Sequence, residues 1–178
     1  ARVRFPSALN FGVAGDTSAQ MLARVDACIA AMLAAGSNTV LILGSTNDRA
    51  NSLAIDGAGG TKENLSAIAT AFRRAGIQAI WITETPRGDS TYTSTRLSGQ
   101  QLAYHMEIHR WLGARPTMYP GEFAVDAWAT FANFSSSTGD AIVGLTYDGL
   151  HPNGSGAIAI ARACLPVINM LFPALPIT

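Results

Sequence analysis

Two short, unbroken apolar runs limit this chain more than any other feature: "NTVLIL" at 38–43 and "IQAIWIT" at 77–83. Each has strand length and lacks the polar–apolar alternation of a half-solvated strand, so each reads as a strand buried on both faces. The segments around them have the other period. From Ser18, the residues Met21, Leu22, Val25, Cys28, Ile29, Met32 and Leu33 recur at helical spacing, and Gly36 supplies a left-handed stop. Thr61 can cap a helix carrying Leu65, Ile68, Ala69 and Phe72 and closed by Gly76. Further helices are predicted over about 96–112 and 154–171, the last stopping before Pro173, with a short one around 125–131 and a weak strand at "TMY". "ALNFGV" at 8–13 reads as one more strand, ending in glycine-rich turn residues. Strands alternating with helices predict a parallel sheet covered on both faces.

In such sheets ligands bind beyond the carboxyl ends of the strands. The loops at 14–18, 44–60 and 146–156 lie there and are rich in glycine and polar residues, so the chemistry is sought in them. The 178 residues suit one domain, 1–178, with a real core. Charge narrows the partners, because 12 basic residues balance 12 acidic ones. A neutral chain offers no electrostatic footprint for nucleic acid or an anionic membrane. No apolar run reads as a membrane span. Cys28 and Cys164 sit on apolar helix faces and read as small buried hydrophobes, although a disulfide stays open.

Within the first loop, "NFGVAGDTSAQML" can present backbone N–H groups to an anion, or can be a tight turn in which Asp16, Thr17 or Ser18 caps a helix. The spacing suits neither a dinucleotide fold nor a P-loop, which disfavours a nucleotide-binding domain. In "LILGSTNDRAN", Asn47 follows a buried strand, where its amide can donate into a cleft or close an Asx-turn. In "TYDGLHPNGSGA", Asp148 precedes His151 by one turn. A carboxylate that holds the imidazole Nδ1–H makes histidine a general base; the alternative is a capping turn ahead of the last helix. His105 and His109, in "HMEIH", have i, i+4 spacing but no third ligand, and read as solvated or partly packed.

Taken together and in this order, the three loops resemble the blocks of the SGNH (GDSL-type) hydrolases: the glycine block, the GxND asparagine and the DxxH pair followed by proline. The resemblance covers nearly the whole chain. It implies a three-layer α/β/α sandwich with a parallel, flavodoxin-like sheet. It also implies an oxyanion hole from the Gly15 N–H and the Asn47 amide, with His151 as base and Asp148 as its orienting acid. The family's winding would place Cys28 and Cys164 on opposite faces, unbridged. No metal or cofactor is implied.

The GDS serine block has no counterpart. "AGDTS" imitates it, but only one helix separates this turn from the Asn47 strand, which is the spacing of the second block to the third. The missing strand would need a βα unit of on the order of 30 residues upstream. The expectation is therefore a fragment of a longer polypeptide, then a strand supplied by another chain, then a protein that has lost its nucleophile. The activity implied is ester hydrolysis through an acyl-serine, removing acetyl or another short acyl group from a carbohydrate or small ester. The polar stretches 84–95 and 131–140, with Tyr92, Trp128 and Phe134, suggest the carbohydrate. Lipase or thioesterase chemistry, and a noncatalytic carbohydrate-binding role, are the alternatives.

Overall fold

The computed structural model describes residues 9–97, 99–135 and 140–173. Ala8 of the expected first strand, Ser98 of the expected helix and 136–139 of the polar stretch lie outside them. Three strands, β1 (Thr39–Ile42), β2 (Gln78–Ile82) and β3 (Phe123–Val125), form a parallel sheet in that order. Helices α1 (Ser18–Ala23) and α2 (Val25–Ala34) precede β1, and α3 (Thr46–Ala50) and α4 (Thr61–Arg74) join it to β2. Helix α5 (Gly99–Met118) leads into β3, and α6 (Ala127–Phe131) and α7 (Gly154–Leu171) follow it.

Alternate side chains of β2 leave opposite faces of the sheet, and each set nucleates its own core. Ala79 and Trp81 pack with Met32 of α2, with Leu65, Ile68 and Phe72 of α4, and with Ile108 and Leu112 of α5. Ile80 and Ile82 pack with Val125, Ala127 and, from α7, Cys164 and Ile168. Each aliphatic side chain so buried stabilises the fold by about 1.5–3 kcal/mol before entropy is counted. The result is the expected α/β/α sandwich. Cys28 packs against the first core and Cys164 lies in the second, both as free thiols.

Several expectations are corrected. Residues 9–13 form no strand, because among the described residues no neighbour takes up its ladder bonds; Phe11 packs on the first core and its carbonyl accepts from the Arg24 guanidinium. β1 is buried on one face only. Leu41 lies on the α7 side of the sheet, opposite Ile80, and both it and Leu43 are 47% exposed. The long first helix is broken at Arg24, whose side chain turns back to pair with Asp16.

Thr61 opens α4 from inside, with Gly60 as the cap. Helix α5 runs through Gly113 and Pro116 to Met118, so "TMY" ends a helix and starts no strand. The extra turns are held by Arg115, which is buried, bonds Glu122 through Nε (2.6 Å) and Nη2 (2.9 Å), and lies over Trp81, Trp111 and Tyr119. β3 was not among the expected strands, since three residues are too few to show a period. Finally, α7, with mean hydropathy 1.4, is long and apolar enough to cross a bilayer, against the sequence reading. In this fold Cys164 and Ile168 dock it on the sheet while Ile158, Leu165 and Met170 remain exposed.

Candidate active site

The Asp148–His151 turn is built by its own backbone. Asp148 Oδ1 accepts from the N–H groups of Leu150 (2.9 Å) and His151 (2.8 Å), while Oδ2 lies 2.7 Å from His151 Nδ1. One carboxylate thus closes the turn and holds the ring. The backbone N–H of His151, then its ring, keep the Asp148 carboxyl at about 2, well below the usual carboxylate range. An ionised Asp148 requires the proton on Nδ1, which leaves Nε2 free to accept; the imidazole is 70% exposed. Capping of α7 falls to Asn153, whose side chain accepts from Gly156 N and donates to the carbonyls of Gly144 and Thr146. Gly156 fits there because a Cβ would strike the Leu145 carbonyl.

Asn47 lies in the first turn of α3, just before the buried Asp48 and Arg49. Asp48 is inaccessible; it accepts from Ser18 N (2.7 Å), Ser18 Oγ (2.5 Å) and Thr61 Oγ1 (2.7 Å), binding α3 to the starts of α1 and α4. Asn47 Nδ2 donates to the Asp16 carbonyl at 2.9 Å, which sets it beside the Gly15 turn. Gly15 has φ +83, a value that favours glycine, and it is exposed. Thr17 caps α1 in a capping box with Gln20. Ser18 is fully buried with its hydroxyl on Asp48, so neither residue of "AGDTS" offers a free nucleophile.

A loop that the sequence reading treated only as polar joins the two halves. After β2, Arg87 Nη1 donates to the Thr46 carbonyl (3.2 Å), one residue before Asn47. Gly88 N donates to the Gly149 carbonyl (2.6 Å), and Thr95 Oγ1 to the Asp148 carbonyl (3.2 Å). Gly88 and Gly149 have positive φ and meet closely: a Cβ on Gly149 would lie 3.0 Å from the Gly88 Cα. Burial lowers the Arg87 pKa, while Glu84 and Asp148 pull it upward. The "PRG" turn straight after a buried strand was the signal available for these residues.

Gly15 and Asn47 are therefore direct neighbours, and the Arg87–Gly88 loop links them to Asp148 and His151. Among the described residues, no hydroxyl or thiol bonds His151 Nε2. Of the other histidines, His105 is more deeply placed than expected, whereas His109 is partly packed as read. His105 is fully buried with Nε2 on the Thr85 carbonyl (2.8 Å), and His109 is half-buried, its pKa lowered by desolvation. Both pack against Trp128, which is 7% exposed and so cannot serve as a sugar platform; Phe134, at 80%, can.

Fold and topology together define a three-layer α/β/α sandwich of the SGNH type. The sequence matches the GDSL-like lipase/acylhydrolase family over residues 1–157, and the chain belongs to that family. No curated protein sequence matches it. Solved structures of similar fold include a GDSL-like lipase from Bacteroides thetaiotaomicron, 19% identical with a TM-score of 0.68, covering 90% of this chain and 74% of that one. An acetyl-xylooligosaccharide esterase from Geobacillus is 17% identical with a TM-score of 0.63, covering 90% and 71%. A mutant acetyl esterase with acetate ion is 19% identical with a TM-score of 0.58, covering 91% and 70%.

Proposed function

We propose that this chain carries the acid–base and oxyanion parts of a serine esterase that removes acetyl or another short acyl group from a carbohydrate or small ester. The observation that carries the reading is the Asp148–His151 pair at 2.7 Å, with the imidazole 70% exposed. In the proposed mechanism His151 takes the serine proton, and the imidazolium that forms is stabilised by Asp148. The Gly15 N–H and the Asn47 amide donate to the oxyanion, and His151 then activates the water that releases the acyl group. Acetyl-carbohydrate chemistry is favoured by the exposed Phe134 and Tyr92 and by the acetyl-xylooligosaccharide esterase among the structures of similar fold.

The serine, in this reading, comes from additional polypeptide that adds a strand to β1. Support lies in the sheet order, which leaves one edge of β1 unpaired among the described strands, and in the exposed Leu41 and Leu43 beside it. The test is hydrolysis of nitrophenyl acetate by the complete polypeptide together with labelling by a serine-directed phosphonate. His151→Ala should cost several orders of magnitude in kcat while the protein stays folded. Full activity of that variant would refute the assignment. Residues 1–178 alone should show at most the weak ~10³–10⁴-fold acceleration that survives loss of a triad member.

A further inference from the structure

Directly beneath the Asn47 turn lies a buried polar chain that the proposed reaction does not use. Ser45 is 1% exposed and has φ +79, a left-handed conformation that a residue with a Cβ adopts only at a cost. Its hydroxyl donates to Glu84 Oε1. Glu84, just past β2, is also 1% exposed. Its Oε2 lies 2.6 Å from His105 Nδ1, near enough for an ion pair but off the line of a hydrogen bond. Among the described residues the partner of His105 Nε2 is the Thr85 carbonyl, which can only accept, so that nitrogen carries a proton. Ser45, Glu84, His105 and Thr85 thus connect the carboxyl ends of β1 and β2 to α5.

Asn47 is the residue held between two such anchors. Asp48 is fixed on its far side through Ser18 and Thr61, and Ser45 on its near side through Glu84. The Asp48 N–H closes this turn on the Ser45 carbonyl at 2.9 Å. One amide hydrogen of Asn47 goes to Asp16, and the direction of the second depends on how the turn is held. A glycine at 45 would adopt this backbone more easily, yet it would release the clamp. We propose that Glu84, acting through the Ser45 hydroxyl and backed by His105, is a positioning residue that aims the Asn47 amide. This rests on the reading of Asn47 as an oxyanion donor.

The test compares Ser45→Gly, Glu84→Gln and Glu84→Ala in the full chain. The first readout is the side-chain amide signals of Asn47 in ¹⁵N-resolved NMR, which need no turnover. The second is kcat on nitrophenyl acetate in the complete enzyme. Ser45→Gly relieves the φ +79 backbone and so offsets part of the loss of the hydrogen bond to Glu84; it should stay folded, yet shift the Asn47 signals. It should lower kcat about tenfold at unchanged KM, and should add nothing in an Asn47→Ala background, since the two act as one unit. Glu84→Gln can still accept from Ser45 and donate to a neutral His105, and should keep the parental signals; Glu84→Ala should lose them. If Glu84→Ala does not fold, Ser45→Gly decides alone. Unmoved Asn47 signals in Ser45→Gly, or losses that multiply with Asn47→Ala, overturn the proposal. Signals that move while the complete polypeptide shows no esterase activity would refute the hydrolase reading and leave the positioning role standing.

Discussion

Asp148 spends both carboxylate oxygens locally, and this has consequences for acid behaviour. Its folded pKa is depressed to about 2, so the interaction is complete above the unfolded value and is lost as pH falls through the folded one. The window runs from about pH 4 to about pH 2. With the side chain 46% exposed, solvent screening makes the stability at stake small. The Asp148 carboxyl carbon should titrate near 2 by NMR, and a midpoint near 4 would mean that the turn bonds do not persist in solution. Asn47→Ala should lower kcat by about 10²–10³, the usual loss for one oxyanion donor, with the melting temperature nearly unchanged. A variant that unfolds with its residual turnover intact would instead assign Asn47 to turn formation.

Among the elements, α5 shows how tertiary contacts override local signals. Gly113 and Pro116 both argue for a stop, yet the helix continues to Met118 because Arg115 finds Glu122 and three aromatic rings. Glu122 also accepts from Trp81 Nε1 at 2.7 Å, so the pair ties α5 to β2. Arg115→Met should destabilise the protein by about 3 kcal/mol, because it leaves the buried Glu122 carboxylate with only Trp81 Nε1 and the half-exposed Arg73 as partners. Adding Glu122→Leu should recover much of that loss in denaturant melts. Equal losses in the single and double variants would show that ring packing, and not charge pairing, holds the turn.

For the whole molecule, the two cores sort the cysteines. Cys28 belongs to the face built on Trp81 and Cys164 to the face built on Ile80, so the sheet stands between them. A disulfide needs Cα atoms within roughly 7 Å. The intact mass should therefore be the same with and without reductant, and a gain of two hydrogens on reduction would contradict this winding. The uncovered apolar surface, Leu41 and Leu43 on the sheet with Ile158, Leu165 and Met170 on α7, lies on the Cys164 side.

Where local chemistry was decisive, the sequence sufficed. The helix over Gly154–Leu171, the core positions Leu65, Ile68, Ala69 and Phe72, and the strands "TVLI" and "QAIWI" follow from period and punctuation. The Asp148–His151 pair was legible for the same reason, since three residues of one turn suffice to bring carboxylate to imidazole. Other features depended on partners distant in the chain. Residues 9–13 have strand composition, yet a strand exists only where a neighbour takes its backbone bonds. Trp128 reads in sequence as part of a carbohydrate surface and His105 as a solvated or partly packed histidine, yet the two are buried against each other. Arg87 became part of the site only because the Thr46 carbonyl lies within reach. Period and turn chemistry act over a few residues and are written along the chain, whereas burial and long-range hydrogen bonds depend on which elements meet, and the tertiary structure alone decided that.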